Sequence, residues 1–394
     1  MTTRSGAYKS RQIYADQAAT SFPKPPEVIR AMTDYMETKG GNPGRGAHRL
    51  SLAAAQQVYA CRETAAELFG LSHPERVVFT MNTTQALNMA IIGLLKAGDH
   101  VLCSDMEHNS VWRPLHRLAE EGVITYDTFE TFAAAPVCNE DMILQSIRRK
   151  LTPKTKMIIC AHAANICSLV LPIEAIGRLC QEMGIIFVVD GAQSAGVQEI
   201  HMARMHIDAL CLPGHKGLLG PQGTGMLLLS PRVTPRPLIT GGNGVDSLAG
   251  DMSEALPEMY EAGTVPGPGI AGLHAGMNCV KRVGIEAIRH QETRLGERLK
   301  QALSRLSPVT VYAPKHKGGV VLFSIRGMAS ESVGAYLDGQ GICVRPGFHC
   351  SALGHRTLKT PEEGAVRVSF GYNNTERDCD AVIDAIRHLC HERP

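Results

Sequence analysis

The sequence predicts an α/β protein: a mainly parallel sheet in a large domain, with a smaller α+β domain beside it. Three observations carry this reading. Residues 50–230 alternate short β-branched runs with amphipathic stretches, the last third changes texture, and 394 residues exceed what one minimal core needs. Strands separated by helices of this length imply parallel βαβ units in a sheet covered on both faces.

Residues 76–80 (RVVFT) read as a strand and residues 85–96 as the helix after it. Residues 100–103, 156–161, 185–189 and 225–229 are further strands, with helical patterning over 111–121 and 173–183. In the last third, residues 309–312, 319–325, 342–345 and 365–370 read as strands and 332–338 as a short helix. Thr375 is placed to cap the final helix, with Glu376 and Asp378 in its first turn. A helical stretch over 270–305, preceded by Gly267, Pro268 and Gly269, bridges the two parts. The expected division is a large domain over 26–275 and a small one made of 1–25 with 276–394.

A net charge of +2 gives no electrostatic case for nucleic acid or for an anionic membrane. Residues 1–12 are polar, and no run approaches the ~20 apolar residues of a membrane span. A soluble, cytoplasmic protein is expected. The 12 cysteines are scattered and include no CxxC pair. Cys103, Cys160 and Cys211 lie in apolar runs, where cysteine acts as a small buried hydrophobe, so no disulfide framework is expected.

Four local features bear on chemistry. Val188-Val189-Asp190-Gly191-Ala192-Gln193 puts a carboxylate where an apolar strand ends. Such an Asp can cap a loop, or can hold a pyridine nitrogen protonated and make the ring an electron sink. Pro213-Gly214-His215-Lys216-Gly217 follows the apolar run 209–212. A turn lysine is commonly a surface residue; a desolvated one condenses with an aldehyde. Asn82-Thr83-Thr84-Gln85 sits between a strand and a helix, as an ordinary N-cap or as a phosphate cradle. Met106-Glu107-His108-Asn109 follows the next strand, where the imidazole is either a satisfied core group or one that lies over an aromatic cofactor face. Singly these say little. Their order, with each near a strand end, matches how a parallel sheet surrounds pyridoxal 5'-phosphate.

With these residues in place, the chain resembles the cysteine desulfurases and selenocysteine lyases, in the class V aminotransferase group of fold-type I pyridoxal-phosphate enzymes. The similarity runs from Tyr14-Ala15-Asp16-Gln17-Ala18-Ala19-Thr20 to Arg367-Val368-Ser369-Phe370-Gly371. The resemblance implies that Lys216 carries the cofactor as an imine and later moves protons at the substrate α-carbon. It implies that Asp190 pairs with the ring nitrogen, that His108 stacks on the ring, and that Asn165 and Gln193 support it. Thr83, Thr84 and His215 are implied as phosphate contacts, and Thr264, in Glu261-Ala262-Gly263-Thr264, as a contact to the phosphate in a partner subunit. Arg367 is implied to bind the substrate carboxylate, for which a planar fork is apt. Ala19, Arg45, His48 and Arg345 are expected around the substrate.

The segment Arg345-Pro346-Gly347-Phe348-His349-Cys350 resembles the one whose cysteine attacks the substrate sulfur, keeping it as a persulfide and releasing alanine. His349 and Arg345, by proximity in sequence, are candidates to favour the thiolate. The implied substrates are L-cysteine or L-selenocysteine, and the implied partners a second copy of the chain in a homodimer with shared active sites and a sulfur-acceptor protein. A lyase or aminotransferase of the same fold acting on another amino acid, and a non-catalytic sulfur-relay protein, are alternatives. No metal site is expected at His349, Cys350 and His355, which lack the repeated ligand spacing of structural zinc. Two departures stand out: Pro213 replaces a hydroxyl residue common at the phosphate, and Gly44 replaces a common histidine. Residues 351–364 are either a mobile lid or a fixed loop.

Overall fold

The computed structural model describes residues 12–44, 46–135 and 138–391. In chain order the elements open with β1 (Ile13–Tyr14), α1 (Pro26–Thr38), α2 (Arg49–Phe69), β2 (Val77–Thr80), α3 (Thr83–Leu94), β3 (His100–Ser104), α4 (Asn109–Glu120) and β4 (Thr125–Phe129). They continue with α5 (Glu140–Lys150), β5 (Thr155–Ala161), α6 (Ile173–Met183), β6 (Ile186–Asp190), β7 (Ala209–Pro213) and β8 (Gly225–Leu229). The remainder is α7 (Gly267–Val283), α8 (Ile285–Leu303), β9 (Val309–Val311), β10 (Val320–Ile325), α9 (Ser330–Gly339), β11 (Ile342–Cys343), β12 (Arg345–Gly347), α10 (Ala352–Leu358), β13 (Ala365–Ser369) and α11 (Glu376–His391).

A seven-stranded sheet runs in the order β2-β8-β7-β6-β5-β3-β4. Its strands are parallel except β8, which is antiparallel to both neighbours. No helix separates β7 from β8; the chain turns back through the segment bearing Lys216, and a short return makes an antiparallel pair. Every residue of β2, β3, β7 and β8 is buried, which is why these runs are apolar without alternation. Alternate residues feed the two faces: Leu102, Ile158 and Val189 pack on one side, Val101, Ile159 and Val188 on the other.

A second sheet, β12-β13-β10-β9, is wholly antiparallel, and β1 pairs in parallel with β11. Leu295, Phe323, Val368 and Ile386 belong to its separate apolar cluster. Two sequence readings change here. Residues 342–345 are not one strand but the ends of β11 and β12, which join different sheets. The bridge over 270–305 is two helices, broken at Gly284 with φ 89°, and Gly267–Gly269 form the first turn of α7 rather than its lead-in. Among the described residues no helix is long and apolar enough to cross a membrane.

Candidate active site

Because β2, β3, β5, β6 and β7 run parallel, the segments that follow them meet along one edge of the sheet. A cavity of about 220 Å³ lies there, and Asp190, Lys216, His108, Asn165, Gln193 and the turn 82–84 all line it. Ala19 and Pro213 complete the wall. The four features that were separate in sequence thus share one space.

Asp190 is the last residue of β6 and is buried, with Oδ1 accepting the Ala192 N–H at 2.9 Å. Burial raises its carboxyl above the usual range, opposed by that N–H and by the charge of Lys216. Lys216 presents its surface to the cavity. Burial pulls its amine down to about 8; Asp190 opposes this, and the charges of Arg367 and Arg345 reinforce it.

The peptide before Lys216 is held firmly. The His215 carbonyl accepts from Ser21 N–H at 2.9 Å, Lys24 Nζ at 2.8 Å, and the hydroxyls of Thr20 and Ser21 at 3.1 Å each. The His215 ring meets Thr20 Oγ1 through Nδ1 at 3.0 Å, and burial, helped by the charges of Lys216 and Lys24, keeps it neutral with a pKa of about 4.

At the other end of the cavity, Asn82 caps α3 by accepting the Gln85 N–H at 2.9 Å. The buried Thr83 Oγ1 has no partner in the protein, and Thr84 Oγ1 lies 2.7 Å from Ser110 Oγ. The first-turn amides of a helix have no intrahelical acceptor, so this end suits an anion. Pro213 brings no donor, but Ser110 adds a hydroxyl to the same cavity.

His108 caps α4, its Nδ1 accepting the Ser110 N–H at 3.0 Å. Burial and the charges of Lys216, Arg345 and Arg367 hold it neutral, at about 4. Gln193 donates from Nε2 to Ala18 O at 2.9 Å. Asn165 donates from Nδ2 to His349 O at 2.8 Å, and its buried Oδ1 is unpartnered. Arg367, on β13, is almost wholly buried. Its Nη1 donates to Asn165 O at 2.9 Å and its Nη2 to Asp16 at 2.8 Å, while Nε has no partner.

The exposed Cys350 reaches this wall through its backbone: Asn109 N–H donates to Cys350 O at 2.8 Å, next to the Asn165–His349 bond. His349 does not supply the cation expected of it. Burial, then the charge of Arg367, drives its pKa down to about 3, and both ring nitrogens are engaged, with Arg345 O and with His355. Residues 351–364 contain a packed helix, α10, in which Thr357 bonds Asp105 O at 3.0 Å and Arg356 lies over the Trp112 ring.

Arg367, Cys350 and the other expected residues fall outside the cavity lining. Arg345 lies in register with Arg367 on β12, and His48 is exposed and caps α2. Thr264 is exposed, with its Oγ1 accepting from Asn42 at 3.3 Å, while Arg45 lies outside the described residues. Gly44 has φ 103°, a conformation that a histidine would hold only under strain. Sequence reasoning did not single out Glu107, Asp16, Ser110 or Lys24. Glu107, Asp16 and Ser110 lie within three residues of a chosen one and Lys24 five residues from Ala19, and a buried or half-buried charge beside a chosen residue was the available signal only for Glu107 and Asp16.

The described fold and site match known proteins. The aminotransferase class-V family covers residues 13–382. A probable cysteine desulfurase of Methanothermobacter thermautotrophicus is 33% identical over 387 residues, covering 96% of this chain and 94% of that protein. One from Pyrococcus abyssi is 33% identical over 389 residues, with the same coverages. The solved apo cysteine desulfurase of Thermococcus onnurineus superposes with a TM-score of 0.88 at 31% identity, covering 97% of this chain and 95% of that one. This chain therefore belongs to the class-V aminotransferase family, α/β enzymes of fold type I that work with pyridoxal 5'-phosphate.

Proposed function

We propose that this chain is a cysteine desulfurase, which converts L-cysteine to L-alanine and keeps the sulfur as a persulfide on Cys350. The observation that carries the reading is an exposed thiol on a turn whose carbonyls are bonded by Asn165 and Asn109, beside the cavity of Lys216. The relatives named above are cysteine desulfurases, which lends the selenocysteine alternative no support of its own.

The residues present fit the cofactor. A buried carboxylate stands at a strand end for the ring nitrogen, a lysine with a lowered pKa shares the cavity, and the unpartnered Thr83 hydroxyl lies at a helix N-terminus. Pyridoxal phosphate, when bound, supplies an aldehyde for the amine and a ring that accepts electrons. Asp190 would hold the ring nitrogen protonated, and neutral His108 would lie on the ring. Thr83, Thr84, His215 and Ser110 would hold the phosphate, with Thr264 serving a partner's site. Asn165 and Gln193 would fix the ring's edge.

Lys216 Nζ carries the proton to and from the substrate α-carbon, a task suited to an amine titrating near neutrality. Arg367 takes the α-carboxylate, exchanging its bond to Asp16 for one to the substrate; Ala19, His48, Arg45 and Arg345 border the entrance. Cys350 Sγ attacks the substrate sulfur: the S–S bond forms, the Cβ–S bond breaks, and protons complete alanine at Cβ and Cα.

The reading extends to a cytoplasmic homodimer that hands its sulfur to an acceptor protein. Exposed apolar side chains on α1 and α2 (Ile29, Met36, Leu52 and Tyr59) support self-association, and 12 free cysteines suit a reducing compartment. Separate sheets, and one apolar cluster drawn only from residues 1–25 and 276–394, support residues 26–275 and residues 1–25 with 276–394 as two domains.

The test is product analysis. L-cysteine should yield alanine in equal amount to sulfur, with the Cys350 peptide one sulfur atom heavier, and Cys350→Ser should abolish both. A keto acid in place of alanine would assign the chain to a different reaction of the same family.

A further inference from the structure

Glu107 is fully buried, and the steps above give it no task. Its side chain accepts from Ser104 Oγ and, at 3.0 Å, from the N–H of Ala161. Ala161 ends β5 directly opposite Asp190, on the wall of the cavity. Without Glu107 that amide would be a buried donor with no partner. The same residue's carbonyl accepts from Ser351 Oγ at 3.4 Å, and two residues later Asn109 N–H holds Cys350 O.

The turn so held is strained. His349 and Cys350 have φ of 55° and 54°, where residues with a Cβ persist only if the surroundings force them. Three bonds tie the turn to residues outside 345–360: Asn165 at His349 O, Asn109 at Cys350 O, and Ser351 at Glu107 O. Two of the three come from residues 107–109, and the Glu107 side chain is what fastens that segment to the sheet.

We propose that Glu107 is a positioning residue for the Cys350 turn, pinning residues 107–109 to the end of β5 so that the strained backbone at 349–350 keeps the thiol beside the Lys216 cavity. The proposal rests on the reading of Cys350 as the sulfur acceptor. Burial lifts the Glu107 carboxyl to about 8, with Ser104 and Ala161 pulling it back and Asp190 adding to the rise. Glu107 is therefore a neutral acid at neutral pH, and glutamine is its close mimic in shape and charge.

The test uses Glu107→Leu, Glu107→Gln and Ser351→Ala, with two readouts. The first is hydrogen exchange of residues 348–352 in the cofactor-free protein. The second is turnover of L-cysteine against β-chloroalanine, whose chloride leaves without help from a thiol. Glu107→Leu should speed exchange in that segment more than elsewhere. It should lower kcat for cysteine by about a hundredfold, the cost of a small misplacement, while KM and chloroalanine turnover change little. Glu107→Gln should restore both readouts, and Ser351→Ala should reproduce a weaker form of the defect.

Unchanged exchange at 348–352 in Glu107→Leu, equal losses on the two substrates, or no rescue by glutamine would overturn the proposal. If the leucine variant does not fold, Ser351→Ala decides, and wild-type exchange and kcat there refute it. A wild-type protein that makes no alanine from cysteine would instead defeat the desulfurase reading, leaving the exchange result to stand by itself.

Discussion

The rings of His349 and His355 are nearly parallel, 7° apart, and Nδ1 of the first lies 3.0 Å from Nε2 of the second. The pair continues at both ends, His349 Nε2 to Arg345 O at 2.8 Å and His355 Nδ1 to Thr360 Oγ1 at 2.7 Å. One proton per ring satisfies the whole series: His349 Nε2 donates to Arg345, His355 Nε2 donates to His349, and Thr360 donates to His355. A second proton on both rings would set Nδ1–H of His349 against Nε2–H of His355, donor against donor.

Acid should therefore undo this side of the molecule. Burial first, and for His349 the charge of Arg367 next, lower the two rings to about 3 and about 4. Unfolded histidine titrates near ~6.5. Between these values the unfolded chain binds more protons, so stability is full above pH ~6.5 and falls as the pH drops toward ~4. His108, His162 and His215 are lowered in the same direction. The melting temperature of the cofactor-free protein should decline over that window, and His355→Phe should melt lower at neutral pH with a shallower acid slope.

Lys216 should react as an amine where surface lysines do not. With a pKa of about 8, about a tenth of it is neutral at pH ~7, against roughly one in a few thousand for an ordinary lysine. Limited acylation of the cofactor-free protein, mapped by peptide mass, should mark Lys216 early, with a midpoint near 8. Asp190→Asn removes the charge that opposes the lowering, so the midpoint should move further down.

Arg367→Lys should raise KM for the amino acid more than it lowers kcat. The planar fork now spans Asn165 O and Asp16, and an ammonium cannot reproduce two parallel N–H bonds. An increase of about ten- to a hundredfold in KM, from about 1.5–3 kcal/mol for a hydrogen bond to a charged group, is expected from steady-state kinetics.

The ion pair of Arg62 and Glu261 is a structural counterpart. Both side chains are nearly buried, their atoms meet at 2.6 and 2.9 Å, and Glu261 also accepts the Phe79 N–H at 2.7 Å. Glu261→Ala leaves a buried guanidinium without its partner and should cost about 3–5 kcal/mol in urea unfolding. Glu261→Gln should cost less.

Much of this was legible in sequence because parallel strands advertise themselves as unbroken apolar runs. The helix over residues 173–183 and the strand over 225–229 have the limits expected for them. The strand β4 was missed because it lies at a sheet edge and reads as TYDTF, exposed at alternate positions. Antiparallel β8 looked like its neighbours since burial on both faces, not strand direction, sets its composition. At the site, Asp190, Lys216 and His108 were readable from their strand ends. The neutrality of His349 was not, for it depends on Arg345 O and His355 closing around one ring. Nor was the engagement of Arg367 by Asp16, which are 351 positions apart in sequence.

One carbonyl serving four donors from residues 20–24 has a mechanical consequence. The segment after β1 and the turn that bears Lys216 form a single stiff link, tethered at a carbonyl oxygen two bonds from the Lys216 backbone nitrogen. A displacement of β1 with β11 would then be felt at that lysine directly, without deforming the seven-stranded sheet beneath it.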